Sequence, residues 1–237
     1  IAPRPCLGAI SKPSQTKHLF RMILLKILQI TNKMNKQKTI YHFVLDQSGS
    51  MADCIHPTLS GLKEQRDNII SIAKEFPEQE IRVGLTIFNQ DVKIAYQDIP
   101  AEKLLSISEI NYRPNGSTAL LDAIGLSITQ VENQIRREGD TAIIVILTDG
   151  YENASRFFSL QQIRNLIKSK EESGKFTFGF LGATLDAVDI AQQMNIRRDN
   201  SANFEKSMMK DTVFNRVSNS INDYMDRKRK GENLSKF

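Results

Sequence analysis

The sequence predicts an α/β domain: a doubly wound, Rossmann-like, mostly parallel six-stranded sheet with one antiparallel edge strand and helices on both faces. Three observations carry this expectation. Strand-like and helix-like segments alternate from Thr39 onward. Two runs, Ile40–Leu45 and Thr141–Leu147, are almost uninterruptedly apolar, as strands covered on both faces are. Two further strand-like runs flank the short turn Asn89-Gln90-Asp91, which reads as a hairpin and supplies the antiparallel edge.

The elements follow in order. Ile40–Leu45 is β-branched and aromatic and ends at Asp46, a central strand. A helix is expected from Thr58 to Phe76, with Leu59, Leu62, Ile69, Ile70 and Ala73 on one face and Pro77 as its stop. Ile81–Phe88 and Val92–Tyr96 are the hairpin strands, and a short helix is expected near 101–107. The loop Arg113–Thr118 precedes a helix from Ala119 to Arg137, whose Leu120, Ile124, Ile128, Val131 and Ile135 recur at three- and four-residue steps. After the strand 141–147, a helix near 160–172, a strand at 176–181 and a helix near 185–194 continue the alternation. A final helix, 204–224, aligns Phe204, Met208, Phe214, Val217, Ile221 and Tyr224. Five strands are thereby placed; no segment is assigned to the sixth.

The net charge of +5 belongs to the ends. Residues 1–36 hold seven basic side chains and no acid, whereas 37–225 hold 20 basic against 25 acidic. The basic balance therefore gives no support for a nucleic-acid surface. Three units are expected: 1–36 as a segment outside the domain, 37–225 as the domain, and 226–237 as a basic tail. No stretch is apolar enough for a membrane span. The first segment has Pro3, Pro5 and Pro13 and an apolar run broken by Arg21 and Lys26, which does not fit a secretory signal. It reads as upstream sequence with the native start at Met34, or else as a short amphipathic helix. Cys6 and Cys54 are the two cysteines; one within the domain cannot form an internal disulfide, which favours a cytoplasmic location.

In doubly wound sheets, ligands bind beyond the carboxyl ends of the strands where strand order reverses. The loops there read Asp46-Gln-Ser48-Gly-Ser50, Gly116-Ser-Thr118 and Thr148-Asp149-Gly150. Hydroxyl and carboxylate oxygens without nitrogen or sulfur select Mg²⁺, Mn²⁺ or Ca²⁺ over zinc or copper; Mg²⁺ or Mn²⁺ is the expected occupant, Ca²⁺ less so. One-residue gaps let a tight turn aim three side chains at one point, and Gly49 supplies the backbone freedom.

Taken together, Asp-x-Ser-x-Ser after an apolar strand, Gly-Ser-Thr-Ala-Leu before a helix and Thr-Asp-Gly after another strand resemble the metal-ion-dependent adhesion site of von Willebrand factor A domains. The resemblance covers about residues 38–225. The wider texture, including Thr-Asp-Gly-Tyr-Glu-Asn-Ala-Ser, is similar to stand-alone bacterial and phage members. It implies metal ligation by Ser48, Ser50 and Thr118 (Thr118 directly or through water), with Asp46 and Asp149 acting mainly through bound water. It also implies a non-enzymatic module that binds a Glu or Asp of a protein partner through the cation.

Other readings are weaker. Asp53 and Glu152 read as solvated loop acids, Asp122 as an ordinary first-turn helix acid, and Arg227–Lys230 as a solvated helix end. Cys54 and His56 lack further soft ligands for zinc. Nucleotide-phosphate loops, dinucleotide fingerprints and nucleophile elbows are absent, and His18, His42 and His56 follow no triad order. A phosphotransfer enzyme with Asp46 as nucleophile is the main enzyme alternative; such enzymes commonly carry a second acid two residues on, where this chain has Ser48. A domain that binds partners independently of metal is the other alternative.

Overall fold

The computed structural model describes residues 17–26, 36–103, 111–184, 186–205, 215–232 and 234. The chain divides into two compact units, 1–36 and 37–237. In the first, residues 17–26 form a helix, α1, with exposed Leu19, Phe20, Ile23 and Leu24. No helix among the described residues is long and apolar enough to cross a membrane.

The second unit runs β1 (Gln37–Asp46), α2 (Ile55–Glu75), β2 (Gln79–Phe88), β3 (Val92–Pro100), α3 (Leu120–Glu132), β4 (Thr141–Thr148), α4 (Leu160–Glu172), β5 (Phe176–Gly182), α5 (Ala187–Gln193), β6 (Ser201–Asn203) and α6 (Asn215–Lys230). The sheet order is β3-β2-β1-β4-β5-β6. Only the β2–β3 pairing among them is antiparallel. From β1 the chain first builds outward to β2 and β3, then returns to place β4 on the other side. Strand order therefore reverses between β1 and β4, and their carboxyl ends frame the crevice where such folds bind ligands.

Alternation on the two central strands divides the interior into two cores. Tyr41, Phe43, Leu45, Ile143, Val145 and Leu147 face α2 and α6, where Leu62, Ile69, Ile72, Val217, Ile221 and Tyr224 pack. Ile40, Val44, Ile144 and Ile146 face α3, α4 and α5, meeting Ile124, Ile128, Val131, Ile163 and Ala191. All eight residues of β4 are buried, which explains its lack of polar alternation.

Several boundaries differ from expectation for identifiable reasons. Helix α3 stops at Glu132 instead of Arg137. The amides of Arg136 and Arg137 instead donate to Asp140 Oδ2, at 3.3 and 3.0 Å, and this captures the chain out of the helix. Phe204 does not begin the last helix; its amide donates to Gly182 O at 2.9 Å and extends the pairing of β6. Met208 and Phe214 lie outside the described residues. The short helix expected near 101–107 is a 3₁₀ turn at Ala101–Lys103, with 104–107 outside the described residues. At the carboxyl end, α6 continues to Lys230, through residues expected in a solvated tail. Lys228 turns inward, and its ammonium donates to Thr39 Oγ1 (2.7 Å), Thr141 Oγ1 (2.9 Å) and Lys38 O (3.2 Å). Those acceptors meet its hydrogen-bonding need, so a lysine is tolerated where a solvated one was expected. Burial still lowers its pKa to about 8, against the opposing pull of Asp140.

Candidate metal centre

The site is assembled from three loops, two at the carboxyl ends of β1 and β4 and one leading into α3. Asp46 closes β1 and is fully buried. Its Oδ1 accepts the Ser48 amide at 2.6 Å, and its Oδ2 accepts the Thr148 hydroxyl at 2.5 Å. The first bond is an Asx-type turn, and it bends the chain so that Ser48 and Ser50 follow on one side. Ser48 Oγ lies 3.1 Å from Ser50 Oγ, which donates to Asp149 Oδ1 at 2.5 Å. One chain of contacts thus links Asp46, Thr148, Ser48, Ser50 and Asp149 across β1 and β4.

Thr118 arrives from the third loop. Its amide donates to Asn153 Oδ1 (2.8 Å), and its carbonyl accepts the Asn153 amide (3.0 Å). The same loop is stitched to the β1 loop by Asn115 N to Gln47 O (3.0 Å) and Gly49 N to Gly116 O (3.0 Å). Gly116 adopts φ +71°, a left-handed conformation that a side chain would strain.

The point of convergence is marked by Gly150. A Cβ built there would stand 2.8 Å from Thr118 Oγ1 and 3.4 Å from both Ser48 Oγ and Ser50 Oγ. Three hydroxyl oxygens therefore ring a space that only the missing side chain leaves open. Asp46 and Asp149 flank it through the bonds above. Burial lifts the Asp46 carboxyl above its ordinary range and the negative charge of Asp149 adds to this, while hydrogen bonds from Thr148 and Ser48 pull it down. An all-oxygen donor set with two acids fits a hard divalent cation. Around Cys54 and His56 the situation differs. Cys54 is buried and His56 exposed, and no group of three His, Cys, Asp or Glu among the described residues is placed to hold a metal.

Two acids read as ordinary turn out to be structural. Asp122 is buried, and its carboxylate accepts three successive amides, from Arg156 (2.7 Å), Phe157 (2.9 Å) and Phe158 (2.8 Å). Glu152 accepts the amides of Leu121, Ala154 and Ser155 and the Ser155 hydroxyl, at 2.7–2.9 Å. Together they pin the loop after β4 onto the start of α3 and so hold Asn153 against Thr118. Asp53 is exposed on the 3₁₀ turn Gly49–Cys54. Tyr112, which has no motif to announce it, donates from its buried hydroxyl to Asp46 O at 2.6 Å. For Asp122→Ala, we expect amide hydrogen exchange at residues 156–158 to lose its protection while β1 and β4 keep theirs.

The family model for the von Willebrand factor type A domain matches residues 42–223. The chain belongs to this family. Solved structures agree at the level of fold. Proximal thread matrix protein 1 from the mussel byssus superposes with a TM-score of 0.61 at 16% identity, covering 78% of this chain and 48% of that one. The pilus adhesin SpaC from Lactobacillus rhamnosus GG gives 0.62 at 15% identity, covering 79% and 30%. The TRAP protein of Plasmodium vivax, in a manganese-loaded form, gives 0.52 at 16% identity, covering 74% and 71%. Another structure of the byssus protein has a zinc-occupied MIDAS motif. This von Willebrand factor A chain thus spans half or less of the byssus and pilus proteins it resembles. No curated protein matches it.

Proposed function

We propose that this domain is a divalent-cation-dependent binding module that engages an acidic side chain of a protein partner. The observation that carries this reading is the ring of Ser48, Ser50 and Thr118 hydroxyls around Gly150, flanked by two carboxylates. Ser48, Ser50 and Thr118 supply neutral oxygen ligands; Asp46 and Asp149 supply the negative charge and orient water or hydroxyl groups around the site. A bound Mg²⁺ or Mn²⁺ offers a coordination position to a partner's Glu or Asp oxygen. Thr148 and Ser48 hold the Asp46 carboxylate in one orientation, and the loop pinned by Asp122 and Glu152 holds Thr118. The metals named for the byssus and Plasmodium proteins are consistent with a divalent occupant here.

The role is recognition without bond making. The position two residues beyond Asp46, where phosphotransfer enzymes commonly carry a second acid, holds a serine. A cytoplasmic setting is consistent with the single, buried cysteine of the domain. The sequence texture points to stand-alone bacterial or phage relatives.

At a Mg²⁺ concentration about a hundredfold above Kd, binding to the native state adds about 2.7 kcal/mol. For a domain of this size that raises Tm by roughly 5–10 °C. Asp46→Ala should show no such rise. A partner retained on immobilised protein in Mg²⁺ should be released by EDTA and not captured by Ser48→Ala; retention under either condition would overturn the cation bridge.

A further inference from the structure

The loop that carries Thr118 holds a reactive pair beside the ligand set. Asn115-Gly116 is the one Asn-Gly in the chain. In such a pair the glycine nitrogen can attack the side-chain carbonyl carbon of the asparagine, because no Cβ crowds the succinimide ring that forms. Both residues are exposed. The Gly116 amide makes no hydrogen bond among the described residues, so solvent hydroxide has access to its proton. The Asn-Ser pairs of the chain are placed differently. Asn200 is buried, and Asn219 lies inside α6, where the following amide is committed to the helix.

Hydrogen bonding fixes which way the Asn115 side chain faces. Asn89 Oδ1 accepts the Asp91 amide at 2.9 Å, so Asn89 has its Nδ2 left to offer, and this donates to Asn115 Oδ1 at 2.7 Å. The oxygen that gathers negative charge during attack on Asn115 Cγ therefore has a donor in place. The nitrogen that must depart, Asn115 Nδ2, is the end left outside this pairing.

We propose that Asn115 is a site of spontaneous deamidation, and that its isoaspartate product weakens the metal centre as the protein ages. Gly116 N, on losing its proton to solvent, bonds to Asn115 Cγ. The Cγ–Nδ2 bond breaks and Nδ2 leaves as ammonia. Water then opens the succinimide at either carbonyl, giving an aspartate or an isoaspartate. One water is consumed and one ammonia released, with no change of oxidation state.

The isoaspartate routes the main chain through Cγ and inserts a methylene between residue 115 and Gly116. That insertion falls between two ties, Asn115 N to Gln47 O and Gly49 N to Gly116 O, both 3.0 Å. These ties clamp the loop of Thr118 to the loop of Ser48 and Ser50, and a longer main chain between them cannot preserve both. The three hydroxyls then lose their common point. This consequence rests on the cation reading of the site, whereas the modification itself does not.

The test ages the full chain in mildly alkaline buffer at physiological temperature, followed by peptide mass spectrometry. The peptide holding Asn115 should gain about 1 Da before any other asparagine-containing peptide does, and isoaspartyl methyltransferase should label it. Asn115→Ser should abolish the labelling. Aged wild type with native circular dichroism should bind Mg²⁺ about tenfold or more weakly than fresh protein, whereas aged Asn115→Ser should bind as its fresh form does. The inference is overturned if Asn115 stays intact in folded protein under conditions that deamidate it in the urea-unfolded chain. It is overturned equally if fully labelled protein binds Mg²⁺ as fresh protein does. Fresh wild type that binds no Mg²⁺ would instead refute the cation reading, and the mass gain would still decide the modification.

Discussion

Gly84→Ala should lower stability by about 3 kcal/mol or more. Gly84 pairs with His42 across β1 and β2. A Cβ there would fall on His42 Nδ1, with Cε1 at 2.9 Å and Cγ at 3.1 Å. The imidazole is buried and has little freedom to retreat. Its Nε2 shares a 2.8 Å hydrogen bond with Thr86 Oγ1, which also accepts from Ser127 Oγ at 2.9 Å. Overpacking costs about 1–3 kcal/mol, and breaking the buried polar chain adds about 1–3 more. Thermal denaturation should register a fall in Tm of roughly 6–12 °C or beyond. A variant within about 2 °C of wild type would mean that the histidine is not fixed as described.

The same ring makes the fold acid-sensitive. Burial lowers the His42 pKa to about 3, from an ordinary value near 6.5. The unfolded chain therefore binds the proton first, as pH falls below 6.5. The contribution of neutral His42 is complete above about pH 6.5 and is lost progressively down to about pH 3, at about 1.4 kcal/mol per pH unit. Denaturant titrations of wild type and His42→Gln at pH 6.5 and 5.0 should thus diverge by about 2 kcal/mol, with wild type showing the steeper loss. Comparing the two proteins cancels the other titrating groups. Equal pH dependence would contradict a buried neutral imidazole.

Much of the fold was legible because its signals are local. The apolar runs of β1 and β4 and the periodicity of α3 act through nearest neighbours in sequence. The candidate ligands were legible for a related reason: each sits at the end of such a run, so placing the strands also places Asp46, Ser48, Ser50 and Asp149. What stayed hidden depends on long-range partners. Strand β6 is three residues, Ser201-Ala-Asn203, and becomes a strand only by pairing with β5. Asp122 and Glu152 look like any helix or loop acids, because the amides they hold lie more than thirty residues away or belong to an irregular loop. Lys228 reads as one charge in a run of four until the ends of β1 and β4 supply its acceptors.

The central claim is that five residues from three loops form one cation site. Its most direct test is calorimetric titration of chelator-stripped protein with Mg²⁺ and with Mn²⁺, beside Asp46→Ala and Ser48→Ala. The account predicts saturable binding at one site per chain, lost in both variants while their circular dichroism stays native. Folded wild-type protein that binds neither ion, or variants that bind as wild type does, would contradict it.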